Sequence, residues 1–265
     1  MKKVVRRTAL GILARFGRSA EVVAGHAGGM SLLAWRVTGA TLTGRVALRD
    51  VLNQLVTTGV ASVPLVLLTS VLSGIVTSQQ GGYQFTGAVP LYVLGSVVTE
   101  SIVLELGPVM TAFVLIGRVG ARIAAELGTM KVSEQIDALY SLGRDPVPTL
   151  AAPRIIAMTI ATPLLVGMSN LVGLGSAMIS SRLTMGLGFE TFLYGARLFW
   201  HSWDLLYSLI KGLAFGYTIP LISVYMGLDT RGGAEGVGRA TTLAVVTMIV
   251  TVLVIDAVYP PPFLN

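Results

Sequence analysis

The stretch VLNQLVTTGVASVPLVLLTSVLSGIVTS, residues 51–78, contains no Asp, Glu, Lys or Arg. An α-helix rises about 1.5 Å per residue, so roughly 20 apolar residues cross the hydrocarbon core of a bilayer. The uncharged run continues as far as Thr99, which is too long for one helix. The turn-forming residues at 79–87 are expected to divide it. The sequence therefore predicts a transmembrane span at residues 51–78 and the start of a second near Leu91.

The composition of the whole chain agrees with a membrane protein. Of its 265 residues 53% are hydrophobic and 12% are charged, and the mean hydropathy is +0.77. A soluble domain carries about 25% charged residues. The chain has no cysteine, which excludes disulfides, a thiolate nucleophile and a cysteine-based metal site. The charged residues that give the net charge of +6 lie between the apolar runs. They are better explained by contacts with lipid headgroups and by membrane topology than by a nucleic-acid partner.

The apolar runs predict an all-α polytopic membrane protein with five transmembrane helices. The spans are expected at residues 51–78, 91–118, 155–181, 205–228 and 240–258. Residues 1–50 form a separate N-terminal segment, interfacial or re-entrant, because Leu10, Leu13 and Phe16 recur at helical spacing among arginines. Residues 51–265 form the five-span domain.

The distribution of positive charge predicts the orientation. Of the 19 Lys and Arg residues, Lys211 lies within a span and Arg182 and Arg197 follow span three. The other sixteen lie on the side of the N-terminus when five spans are threaded, which places the N-terminus in the cytoplasm. Aromatic residues then collect at the outer boundary, as an aromatic belt does: Tyr83, Tyr92, Trp200, Trp203 and Tyr259.

A short charged segment interrupts the apolar chain at residues 126–146, ELGTMKVSEQIDALYSLGRDP. Within it we predict a cytoplasmic helix at 133–142. Ser133 can cap its N-terminus, Glu134 suits the helix dipole in the first turn, and Gly143 can end it. A helix of about ten residues is marginal alone in water, so it needs a surface to pack on.

Two surfaces remain open for this helix, whose apolar face is formed by Val132, Ile136, Leu139 and Tyr140. It can lie back on its own protein or on the membrane surface. Alternatively, it can dock into a groove of a cytoplasmic partner.

Residues 105–154, ELGPVMTAFVLIGRVGARIAAELGTMKVSEQIDALYSLGRDPVPTLAAPR, resemble the signature region of the MlaE/YrbE-type permeases. These are membrane subunits of ABC transporters that work with MCE-domain proteins on lipids. SLIKGLAFG at 208–216 and GGAEGVGRATTLAVV at 232–246 also resemble that family.

The resemblance implies a homodimeric permease of the inner membrane with a periplasmic C-terminus. It implies a phospholipid or related lipid held between two protomers beneath a periplasmic MCE-protein assembly. It also implies that the short helix couples to a cytoplasmic ABC ATPase, which holds the ATP and Mg. The coupling residues would be Val132, Glu134, Gln135, Ile136, Asp137, Leu139 and Tyr140.

The chemistry of hydrolysis is not expected on this chain. No G-x-x-x-x-G-K-[ST] motif occurs, so ATP hydrolysis should come from a partner subunit. No arrangement of catalytic residues is readable. His26 and His201 lie on opposite sides of the predicted membrane, so a metal site or a cofactor on this chain is not expected.

Three ionisable residues lie inside predicted spans: Glu100, Glu105 and Lys211. Such groups are costly in a bilayer and face the protein interior or a polar cavity. One interpretation is an ion pair that fixes the packing of spans two and four. The other places Glu105 at a lipid cavity beside a kink at Pro108, with walls formed by Leu68, Leu72, Val76 and Leu106.

Arg118 and Arg122, spaced i and i+4, either contact lipid headgroups or form a hinge, for example through Arg122 and Glu126. Two other functions stay open from the sequence. An ion-coupled secondary transporter could use Glu105 and Lys211, although no inverted repeat is detectable. The other is a scaffold protein that transports nothing.

Overall fold

The computed structural model describes residues 21, 24–85 and 89–260, which are mostly helical and contain no strand. We number the helices in chain order: α1 (24–42), α2 (Leu48–Gln84), α3 (Val93–Val132), α4 (Gln135–Ser141), α5 (Val147–Met185), α6 (Phe189–Leu198), α7 (Ser202–Leu228) and α8 (Gly233–Val258).

Five of the described helices, α2, α3, α5, α7 and α8, are long and apolar enough to cross a membrane. The most apolar stretches of these helices have mean hydropathies between 1.5 and 2.3. The all-α, five-span prediction is therefore confirmed, and the chain is a multi-pass membrane protein. The predicted N-terminal interfacial helix lies almost wholly outside the described residues and stays a prediction.

The predicted break after span one is present but begins later than expected, because α2 continues through Gly81 and Gly82 to Gln84 and the next span begins at Val93. A Cβ atom on Gly82 would overlap the side chain of Met185 at the end of α5. Gly82 therefore allows α2 and α5 to approach closely, and Gly81 meets Leu94 of α3.

The second span is also longer than predicted. Helix α3 continues past Arg118 to Val132, so it includes Glu126 and the first part of the charged segment 126–146. Two π-helical segments, Ser101–Leu106 and Ile116–Gly120, widen α3 along its length.

The main core lies where α3, α5, α7 and α8 meet, around side chains such as Ile123, Met158, Phe215 and Met248. Helices α2 and α5 run parallel and are joined by a buried hydrogen bond between the Ser70 and Ser169 hydroxyls, 2.7 Å apart. Helix α1 packs on this body through Leu33, Val37 and Ala40.

Candidate functional site

Lys211 is the centre of a charged cluster inside the helical bundle. Its side chain, on α7, is fully buried. Its Nζ lies 2.6 Å from Glu105 Oε2 on α3 and 2.5 Å from Asp256 Oδ1 on α8. The cluster therefore ties three spans together and carries two carboxylates for one ammonium.

Pro108 explains a third contact of Lys211. Proline has no N–H, so Pro108 cannot donate a hydrogen bond to the Leu104 carbonyl four residues earlier. Lys211 Nζ donates to that carbonyl at 3.1 Å instead. The backbone opening made by Pro108 is thus closed by the same ammonium that pairs the carboxylates.

The packing around the cluster is close and polar. Asn170 on α5 donates to the Ser208 hydroxyl on α7 at 2.9 Å. A Cβ atom on Gly107 would overlap the Asn170 amide oxygen, so α3 and α5 meet here at a glycine. The Tyr207 ring centre lies 5.6 Å from Lys211 Nζ.

The predicted cluster needs one correction. Glu105 and Lys211 are brought together, but the second carboxylate belongs to Asp256 and not to Glu100. Glu100 ends the first α-helical part of α3, and Glu105 lies within the π-helical segment Ser101–Leu106 that follows. The sequence did contain a signal for Asp256, because it is an acidic residue inside the otherwise uncharged span five.

The three members differ in exposure, and this separates their roles. The side chain of Lys211 is 0% exposed, that of Asp256 22% and that of Glu105 44%. Asp256 is the more enclosed partner of Lys211. Glu105 has an open side on which another molecule can approach.

The predicted cavity wall lies on an outward surface. Leu68, Leu72 and Val76 are each more than half exposed on α2. Leu106 does not share this surface, since it packs on the smaller core around Ile102 and Ala177. The stripe on α2 is therefore an open apolar face within this chain.

The helix predicted at 133–142 is shorter in the structure, where α4 covers Gln135–Ser141. Ser133 does not cap its N-terminus: the Ser133 hydroxyl donates to the Thr129 carbonyl at 2.7 Å, which belongs to the end of α3. Glu134 lies between the helices in the left-handed region, with φ 62°. The turn is therefore made at Glu134, and Ser133 closes the preceding helix.

The apolar face of α4 is divided between two surroundings. Ile136 is 3% exposed and packs against its own protein. Tyr140 and Leu142 are 53% and 76% exposed. Asp137 pairs with Lys131 at 3.0 Å. The surface that a partner can reach thus contains Tyr140 and Leu142, and Ile136 belongs to the fold.

Ion pairs fix both flanks of α4. Arg154 on α5, whose side chain is 5% exposed, lies 2.6 Å from Glu126 on α3. Arg36 on α1 lies 2.9 Å from Asp145, just after α4. Partial burial lowers the pKa of the Arg36 guanidinium, but Asp145 and Tyr140 together outweigh burial and raise this pKa.

The arginine hinge is arranged differently from the prediction. Glu126 pairs with Arg154, so the proposed contact from Arg122 to Glu126 is replaced. Arg118 donates to the Ser62 hydroxyl on α2 at 2.5 Å. Arg118 therefore joins two spans and is not simply extended toward headgroups.

The sequence of this chain is similar to those of a known family of permeases. A family described as "Permease MlaE" matches residues 51–260. A probable ABC transporter permease protein of Synechocystis is 39% identical over 80% of this chain and 81% of its own length. The chloroplast protein TRIGALACTOSYLDIACYLGLYCEROL 1 of Arabidopsis thaliana is 38% identical over 86% of this chain and 65% of its own length. A probable ABC transporter permease protein of Rickettsia typhi is 37% identical over 77% of this chain and 79% of its own length. The match to the family covers the five spans, α4 and the Lys211 cluster, and the chain belongs to the MlaE permease family.

Proposed function

We propose that this chain is the membrane subunit of an ABC transporter that moves a phospholipid or a related lipid. It acts as a homodimer in the inner membrane, with its N-terminus in the cytoplasm. A cytoplasmic ABC ATPase supplies ATP hydrolysis, and a periplasmic MCE-domain protein exchanges lipid with it. The family membership and the names of the relatives support the transporter class.

The observation that carries the proposal is the structure of α4 and its flanks. The seven-residue α4 exposes Tyr140, and Leu142 directly after it is also exposed. Ile136 packs α4 against its own protein, and the ion pairs of Arg154 and Arg36 fix the segments before and after it. A force applied to the exposed side of α4 is passed to α3, α5 and α1 without unfolding the helix. This is what an ATPase subunit needs from a membrane partner.

Two features support a lipid as the substrate. The exposed stripe of Leu68, Leu72 and Val76 offers an apolar wall that a second protomer can close into a cavity. Glu105 is the exposed carboxylate of the Lys211 cluster and can meet a polar headgroup. The name of the Arabidopsis relative contains that of a glycolipid, which agrees with a lipid substrate.

The docking surface is tested by the double variant Tyr140→Ala, Leu142→Asp. Both side chains are exposed, so the chain should fold and insert normally. Co-purification of the cytoplasmic ATPase and ATP-dependent lipid movement in vesicles should both be lost. Leu183→Asp is the matched control, because Leu183 is 80% exposed at the other end of the bundle. Full ATPase retention by the double variant would reject α4 as the docking helix.

The proposed contact between Glu105 and a lipid substrate is tested separately with Glu105→Gln. Asp256 still pairs Lys211 in this variant, so folding should be kept while the lipid that co-purifies, measured by mass spectrometry, falls. Unchanged lipid content and unchanged transport would remove Glu105 from the lipid path.

An ion-coupled carrier is the second candidate, and the charged cluster within the membrane is the observation that favours it. A carrier works as a lone chain without ATP. Lipid movement by the purified chain in an ion gradient, with no ATPase present, would favour this candidate over the first.

A further inference from the structure

A second site lies at the end of the bundle opposite α4. Here a cavity of about 360 Å³ opens between α6, α3 and α5. On α3 the cavity is lined by Thr99, which lies 33 residues before the last residue of that helix, Val132. At the rise of an α-helix these two residues are roughly 50 Å apart. The Lys211 cluster and α4 do not line it. The volume is within the range of pockets that bind small molecules.

The walls of this cavity are apolar and fixed. Leu174 and Met178 line it from α5, and Phe192 and Leu193 line it from α6. Phe192 is 2% exposed, so the inner wall belongs to the core.

Helix α6 packs closely on the start of α3, where the two cross at a pair of glycines. A Cβ atom on Gly95 would overlap the Phe192 carbonyl, and one on Gly195 would overlap the Tyr92 carbonyl. The Tyr92 and Tyr194 rings add an edge contact, 5.7 Å between centres. The cavity is therefore a preformed feature of the fold.

The mouth of the cavity is amphipathic. Arg197, in the last turn of α6, is exposed and lines the mouth together with Trp200. No carboxylate of the described residues forms an ion pair with Arg197. Tryptophan is enriched where hydrocarbon meets headgroups, and a guanidinium matches the oxygens of a phosphate bidentately. An apolar wall, an aromatic rim and an unpaired guanidinium are the features that bind one end of a phospholipid.

We propose that this cavity binds one acyl chain of a phospholipid, with the lipid phosphate at Arg197. The lipid comes from the leaflet on the side of the membrane away from α4. This site is separate from the path proposed for transport, and it is occupied whether or not an ATPase is bound. Its failure would therefore leave the proposed function untouched.

The site is tested by photo-crosslinking. Phosphatidylcholine with a diazirine in mid-chain is added at low mole fraction to the purified protein in detergent micelles that contain no other lipid, and labelled residues are mapped by peptide mass spectrometry. Labels should concentrate on Leu174, Met178 and Leu193. Unlabelled phosphatidylcholine should compete with the probe, whereas diacylglycerol, which lacks the phosphate, should compete about tenfold less well.

Gly175 provides a variant that fills the cavity. It lines the cavity, and a Cβ atom on it would meet nothing within 4 Å. Gly175→Phe should therefore place a ring in the cavity without moving the backbone and reduce labelling to background. Gly175→Ala is the matched control at the same position and should keep the labelling. Ile179→Phe adds the same ring to an exposed position on α5 and should keep it as well.

Arg197→Gln tests whether Arg197 binds the lipid phosphate. Because Arg197 is at the surface, this variant should fold even if Gly175→Phe does not. It should abolish the advantage of phosphatidylcholine over diacylglycerol. Several results would overturn the proposal: labelling spread evenly over exposed faces, labelling unchanged in Gly175→Phe, equal competition by both lipids in the native protein, or a partner protein segment cross-linked in the cavity in place of lipid.

Discussion

Replacing Lys211 with methionine removes the cation from a cluster that holds two carboxylates. Lys211 is fully buried, with its Nζ 2.6 Å from Glu105 and 2.5 Å from Asp256. Removing one partner of a buried ion pair costs about 3–5 kcal/mol, because the remaining charge is left without compensation. Lys211→Met should therefore lower the free energy of unfolding by about this amount.

Glu105→Gln should cost much less, although it removes a partner of the same lysine. Asp256 still neutralises Lys211, and the Glu105 side chain is 44% exposed, so solvent screens its contribution. Exposed pairs contribute about 1 kcal/mol or less. The two single variants should thus differ by at least about 2 kcal/mol, or roughly 30-fold in the unfolding equilibrium.

The assay is thermal unfolding of the purified protein in detergent. For chains of 150–250 residues, 1 kcal/mol shifts Tm by about 2–4 °C, so Lys211→Met should lower Tm by about 6–20 °C. The triple variant Glu105→Gln, Asp256→Asn, Lys211→Met carries no charge in the cluster and should recover most of this loss. A Tm for Lys211→Met equal to that of Glu105→Gln, or no recovery in the triple variant, would refute the reasoning.

Three further predictions follow from the packing and the topology. Ile136→Asp should destabilise the protein by several kcal/mol in thermal unfolding, because Ile136 is 3% exposed and would bury an unpaired charge; a normal Tm would place Ile136 at a docking surface after all. Gly95→Ala should lower Tm because its methyl group would overlap the Phe192 carbonyl, whereas Gly175→Ala should not, since its methyl group meets open space; equal Tm values would contradict the glycine crossing. The chain contains no cysteine, so an impermeant thiol reagent applied to intact cells should label Tyr83→Cys and not Ser141→Cys, and the reverse pattern would invert the orientation.

The number of spans could be read from the sequence because it depends on a local property. A run of about 20 apolar residues without charge has to be buried in lipid or protein wherever it lies in the chain. The exact span ends could not be read in the same way. Gly81 and Gly82 are typical of a turn, but they lie within α2, where Leu94 packs against Gly81 and Met185 packs against Gly82.

The cost of an ion inside a membrane also made Glu105 and Lys211 recognisable from the sequence, since each needs a partner. Which residues meet was a matter of tertiary structure. The sequence grouped Glu100 with Glu105 and Lys211, but the packing of α8 against α7 brings Asp256 to Lys211. Sequence position determines how deep a residue lies, whereas the packing of three helices determines which way it faces.

For α4, too, some properties could be read from the sequence and others depend on tertiary contacts. Its charge, its brevity and the glycine after it were visible in residues 126–146, because these are properties of one short segment. The burial of Ile136, the left-handed turn at Glu134 and the pairing of Glu126 with Arg154 were not. Each of these depends on contacts with α3 and α5, and a helical pattern alone cannot show which side of a helix its own protein covers.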